Sequence, residues 1–337
     1  MKVELITTFQ SIMIALIVLL VAATVFLIYL GFLRICKNLF NITFRRPEPM
    51  PAVDRSPTSI DQSTVFGKGR NWFYTNRNEY LNVRIQSFDN AKMSGYYRPS
   101  ADRSTRFAVI LLHDYNEHPS EMAAYARLMM KQMQCHILIP HMRAHAMSGG
   151  KYCTYGLYES VDLMRWIEFL KMQVGPDCRI FVVGRGMGAA TALLAAEQEG
   201  FSSNVAGILA DSTFDSLQNL LEFTWKPKYK ALTKFTFNTV NKICMKNLNV
   251  DITKCDPLFN ADLIRVPVLF FGAGNDSVNP PNSVRAVYDD IRTPKHLVMV
   301  DKCEHDMCYD RAPAAYERET RQFVEKCVVR LVSTGKM

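Results

Sequence analysis

The residues best placed for chemistry begin at Gly184-Arg185-Gly186-Met187-Gly188. The apolar, β-branched run Ile180–Val183 precedes them, and the small helix formers Ala189–Ala196 follow. Strand, glycine-rich turn and helix form the frame in which G-x-S-x-G lifts a nucleophilic side chain above a sheet. Here the central residue is Gly186, which has no hydroxyl. An ordinary strand–turn–helix crossover uses the same residue types, so the frame needs support from elsewhere. That support lies downstream, in Asp276 and then His305, a carboxylate and an imidazole that follow two further apolar runs. Ser148, Ser212, Cys303 and Cys308 are other potential nucleophiles near run ends. A replacement must still reach the point between the base and the oxyanion donors, which the elbow sets. His141 and His145 stand four apart, but His141 is expected at a strand end, where that spacing makes no shared helical face for a metal. No metal or other cofactor is expected.

The elements that must position these groups read as an alternation. Asn82–Phe88 and Met93–Arg98 suggest an antiparallel hairpin turning at Asp89-Asn90. Phe107–Leu112 is a continuous apolar run, suited to a strand buried on both faces. A helix is expected from about Ser120, capped by it, with Met122, Tyr125, Ala126 and Met129 on one face. Strand Cys135–Pro140, helix Tyr158–Met172, the elbow strand, and strands Gly207–Asp211, Val266–Gly272 and His296–Val300 come next. A closing helix spans Ala312–Leu331. Such alternation predicts a doubly wound, mostly parallel α/β sheet. In such sheets chemistry sits beyond the carboxyl ends of the strands. The candidate residues all fall there.

Five segments carry a resemblance: LLHDY (Leu111–Tyr115), RAHAMSGG (Arg143–Gly150), GRGMGAAT (Gly184–Thr191), FFGAGNDSVNP (Phe270–Pro280) and CEHDMCY (Cys303–Tyr309). In this order at strand ends they resemble the α/β-hydrolase superfamily. The likeness is to its bacterial, often membrane-anchored esterase/lipase-like and serine-aminopeptidase-like branch, over roughly Trp72 to Val329. The resemblance implies an α/β-hydrolase fold with a helical cap. It makes Asp276 the triad acid, His305 the base, Gly186 the lost nucleophile position, and the Tyr115 and Met187 backbone N–H groups the oxyanion donors. Five departures cluster on that site. Gly186 replaces serine, and Arg185 brings a cation expected close to the acyl position. Asp114 replaces the glycine of an H-G pair and sets a negative charge beside the oxyanion, which opposes its stabilisation. In a D-x-R-x-H-G-like motif, His141 stands for the aspartate and Ala146 for the glycine.

The chain has 337 residues, enough for one α/β domain of roughly 250–280 residues with an appendage. Ile12–Leu33 carries no formal charge and is long enough, as a helix, to cross roughly 30 Å of hydrocarbon. Arg34, Lys37, Arg45 and Arg46 follow it, against Lys2 before it, so the positive-inside bias puts the body in the cytoplasm. The odd number of cysteines, nine, without a C-x-x-C pair, fits a reducing compartment. Net charge is +8, with no fold that would make a nucleic-acid-binding stripe. The expected domains are an anchor and basic segment at 1–46, a proline-rich linker at 47–71, and the hydrolase-like domain at 72–337. Its cap, at about 217–262, is rich in lysine and aromatic residues and is broken by Pro227. Such a cap could lie on anionic headgroups. The expected protein is a single-pass cell-membrane pseudo-hydrolase, in contact with the lipid bilayer, that binds a small molecule or protein partner in the inherited pocket. The alternative is an active ester or amide hydrolase in which His305 and Asp276 serve a non-standard nucleophile or activate water directly.

Overall fold

In the computed structural model, residues 2–46, 62–229 and 233–335 are described. Eight strands form one sheet in the order β1-β2-β4-β3-β5-β6-β7-β8. They are β1 (Leu81–Gln86), β2 (Lys92–Arg98), β3 (Phe107–Leu112), β4 (His136–Pro140), β5 (Arg179–Arg185), β6 (Val205–Asp211), β7 (Val268–Ala273) and β8 (Lys295–Val300). The β1–β2 and β2–β4 pairs are antiparallel, and every other pair is parallel. The expected sheet is therefore present, and the β1–β2 hairpin turns at Asn90, whose φ is +65°.

The helices are α1 (Lys2–Phe44), α2 (Val65–Thr75), α3 (Ala123–Gln132), α4 (Leu157–Val174), α5 (Met187–Ala196), α6 (Phe201–Asn204), α7 (Leu217–Tyr229), α8 (Thr233–Leu248), α9 (Ser283–Asp290), α10 (Cys308–Arg311) and α11 (Pro313–Ser333). Successive residues of the central strands point into opposite cores, as a two-residue period requires. Ala108, Ile110 and Leu112 of β3 join one core with α4 and α5, while Val109 and Leu111 join the other with α3 and α11. Continuous apolar runs arise here because both faces are covered.

Three local expectations change. Helix α1 does not end near Leu33. Its apolar stretch, Phe9–Phe44, is long and apolar enough to cross a membrane. Cys36, Leu39, Phe40 and Phe44 at its far end are nonetheless buried in the body. Those four recur at helical spacing, so one face of the last turns packs on protein. The proline-rich linker lies largely outside the described residues, but its last part is helical. Thr64 caps α2 by accepting a hydrogen bond from Gly67 N (2.9 Å), and α2 packs against α3. The cap of the 3₁₀ turn leading into α3 is also not Ser120. The His118 ring accepts from Ser120 N at 3.2 Å, and the Ser120 hydroxyl bonds the same ring.

Candidate functional site

The acid–base half is built by two loops held side by side. Gly274 N donates to Val300 O (2.9 Å) and Asn275 N to Cys303 O (2.8 Å), which ties the end of β7 to the end of β8. The Asp276 carboxylate is fixed by Val278 N and Asn279 N at 2.9 and 2.8 Å. Its other oxygen meets His305 Nδ1 at 2.7 Å. Two residues 29 apart in sequence thus form the carboxylate–imidazole pair.

The other half centres on Gly186, at φ +51° between β5 and α5. Gly188, two residues on, faces the Leu112 backbone so closely that a Cβ would strike it. Close strand–helix packing therefore explains that glycine. Gly186 has a different constraint. A Cβ placed on it would fall inside the Asp114 carboxylate, whose Oδ2 lies 2.7 Å from that point. Asp114 Oδ1 accepts the Met187 N–H at 2.6 Å. Asp114 Oδ2 lies 3.7 Å from His305 Nε2. The carboxylate of the residue after His113 thus fills the space above the elbow, and it occupies one of the two expected oxyanion donors.

Charge around this point is dense. Burial alone would raise the Asp114 carboxyl, but the hydrogen bond and charge of His305, with the Met187 N–H, hold it well below the usual range. Burial disfavours the His305 imidazolium, yet Asp306, Asp114 and Asp276 together push it up to about 11. Asp306, wholly buried beside Asp114, is driven well above the ordinary carboxyl value. The direction of these shifts favours an ionised Asp114 against a protonated His305.

Arg185 is not near the acyl position. Its guanidinium is buried behind the elbow, 2.9 Å from Glu117 and 3.3 Å from Asp306, and lies 4.6 Å from the Phe66 ring centroid. Glu117, which the sequence did not single out, is raised by burial to about 7 even beside this cation. His141 and His145 are buried and spend nitrogens on the backbone. His141 Nδ1 accepts from Met147 N (3.1 Å), and His145 Nε2 accepts from Asn116 N (2.9 Å). Burial lowers both, His141 to about 3. These rings fix loops. Arg143 of the same segment is buried against Asp162 (2.9 Å) and Asp89 (2.6 Å). Ala146 adopts φ +43°, a conformation that a glycine holds without strain.

The four other candidate nucleophiles stand away from the opening. Ser148 donates to His141 O at 2.6 Å, and Ser212 to Asp211 Oδ1 at 3.0 Å. Cys303 and Cys308 face each other, with sulfurs 3.8 Å apart. None of the four lines the cavity above Gly186. That cavity, about 340 Å³, has Asp114, Gly186, Met187 and His305 as its floor. Tyr115 and Tyr155 stack on one side at 5.0 Å. Leu220, Leu221, Thr224 and Trp225 of α7 form the cap wall, and Ile42 and Thr43 of α1 close the rim. The contribution of α1 is new. Its sequence signal was the apolar spacing Cys36, Leu39, Phe40, Phe44, which continues past the expected helix end.

A strand–elbow–helix, a carboxylate–imidazole pair and a helical cap on this strand order define an α/β-hydrolase fold. A family model described as acetyl xylan esterase (AXE1) matches residues 156–323. The protein YqkD of Bacillus subtilis, itself uncharacterised, is 26% identical over 252 residues, which cover 72% of this chain and 82% of that protein. The esterase Pf2001 of Pyrococcus furiosus superposes with a TM-score of 0.60 at 22% identity, covering 82% of this chain and 98% of its own. Est1E of Butyrivibrio proteoclasticus, solved with ferulic acid bound, gives 0.55 at 14% identity, covering 73% and 99%. The chain thus has the α/β-hydrolase fold and is similar to these esterases.

Proposed function

We propose that this protein is a membrane-anchored pseudo-hydrolase, which retains the acid–base pair of its superfamily and holds a small ligand where substrates once reacted. One observation carries the reading: the Asp114 carboxylate occupies the volume that a nucleophile's Cβ would need above Gly186. Three further features support it. The Met187 N–H is already bonded. The carboxylates facing His305 favour its protonated form, which has no free lone pair to take a proton. Among the described residues, no serine or cysteine lines the cavity. The walls are mostly apolar and the floor pairs an anion with a cation, so the ligand has an apolar body and one polar end.

The wild-type protein should form no adduct with a fluorophosphonate probe and show no burst with 4-nitrophenyl acetate. An adduct mapped to any serine or cysteine would replace this reading with an active ester or amide hydrolase. Anchoring follows from the apolar stretch of α1, and the cytoplasmic side from Arg34, Lys37, Arg45 and Arg46. All nine native cysteines are buried, so topology needs an introduced thiol. With Glu199→Cys at an exposed position, an impermeant maleimide should label lysed but not intact cells. Labelling of intact cells would place the body outside.

A further inference from the structure

A second cavity, about 580 Å³, lies between α1 and α8 and apart from the elbow. From the geometry we infer that it is a binding groove for one anionic phospholipid of the surrounding bilayer. Its two walls are helix faces. Leu33, Lys37 and Asn41 of α1 recur every four residues, and Lys242 and Lys246 of α8 stand four apart, so each set shares a face. Three ammonium groups therefore line one groove, with no acidic side chain in its lining among the described residues. None of the three forms an ion pair among the described residues. Like charges brought together without a counter-charge repel one another, and a bound anion removes that cost.

The rest of the lining says what kind of anion. Tyr29 and Leu33 belong to the apolar stretch of α1, and Phe40, Tyr152 and Ile243 give the groove an apolar floor. Lys37 follows Leu33 by one helical turn, roughly 6 Å along the axis. It thus stands at the level where headgroups meet water if α1 spans the bilayer. A phosphodiester held by the lysines, with Asn41 and Asn247 as amide donors, would send its acyl chains past Leu33 and Tyr29 into the hydrocarbon. A free phosphate ester would leave the apolar half of the groove unused. The occupant is a lipid because the charged and apolar walls continue into one another. This inference rests on α1 being a membrane span, as proposed above.

The test uses the full chain in vesicles of equimolar phosphatidylglycerol and phosphatidylcholine, extracted in mild detergent and weighed by native mass spectrometry. Wild-type protein should retain one phosphatidylglycerol in preference to phosphatidylcholine. The Lys37→Gln/Lys242→Gln/Lys246→Gln variant should bind it on the order of a hundredfold more weakly, and each single variant about fivefold more weakly. The three lysines are exposed, so the fold should survive, which near-ultraviolet circular dichroism would verify. A control variant, Lys226→Gln/Lys234→Gln/Lys254→Gln, removes as much charge from the cap outside the groove and should bind as wild type. Unchanged retention in the groove variant, equal loss in the control, or equal retention of phosphatidylcholine would overturn the site. Displacement of the lipid by millimolar glycerol phosphate would overturn its assignment to a bilayer lipid. Alkaline carbonate keeps these failures apart from failure of the anchor. Release of wild-type protein into the supernatant would refute the span itself, whereas a wrong groove leaves every variant in the membrane.

Discussion

The two halves of the site above the sheet have diverged. On the β7–β8 side, Asp276 and His305 keep a 2.7 Å contact, and backbone donors hold the carboxylate. On the β3–β5 side, the elbow residue is Gly186 and a carboxylate from the neighbouring loop fills the space above it. The two departures there meet in space: with Asp114 in this position, a side chain on residue 186 would have to move the carboxylate. Once in place, the carboxylate bonds the Met187 N–H and draws a proton onto His305. The intact half is thereby held in its charged form by the altered half.

The strongest way to break this comparison is to install a serine at the elbow in steps. Gly186→Ser alone should stay unlabelled by fluorophosphonate, because its Cβ must displace a carboxylate whose Oδ1 accepts the Met187 N–H and whose Oδ2 faces His305 Nε2 at 3.7 Å. Asp114→Gly/Gly186→Ser frees the space and the oxyanion donor together. It should label at least a hundredfold faster, in line with the cost of one such donor, roughly 10²–10³ in rate. Labelling of the single variant at the rate of the double would show that Asp114 is not the block. If the folded double variant also stays silent, the Asp276–His305 pair is not poised for catalysis.

A smaller effect sharpens the electrostatic link. In Asp114→Asn, the His305 titration followed by NMR should fall from about 11 toward 6.5 by at least one unit, since one of its three carboxylate neighbours is neutralised. An unchanged titration would leave Asp306 and Asp276 as the whole cause. The same group sets a stability profile. Its folded value exceeds its unfolded value of 6.5, so its contribution is complete below pH 6.5 and is lost as pH rises through about 11. The wild-type protein in detergent should lose up to about 1.4 kcal/mol of stability per pH unit from this proton within that window. Asp114→Asn should end that window at a lower pH. A window reaching equally high pH in both proteins would assign the effect elsewhere.

Much of this was legible in the chain. Alternating apolar runs fixed the strands to within about two residues at either end, because strands buried on both faces must be continuously apolar. The sequence also named Asp276, His305, Gly186 and Asp114, since residues at strand ends converge wherever the sheet is parallel. It misplaced Arg185, whose neighbour Glu117 comes from the loop after β3. It ended α1 too early, because Arg34 and Lys37 look like the edge of a membrane span while the buried face of the same turns is read only against α8. It treated Gly186 and Asp114 as separate lesions for the same kind of reason. Local propensity and hydrophobic period are properties of neighbours along the chain, and they determined the elements and their order. Which carboxylate fills which space is set by distances across the sheet between loops 73 residues apart. Only the packed tertiary structure, where a few tenths of an ångström decide whether a Cβ can exist, settled that.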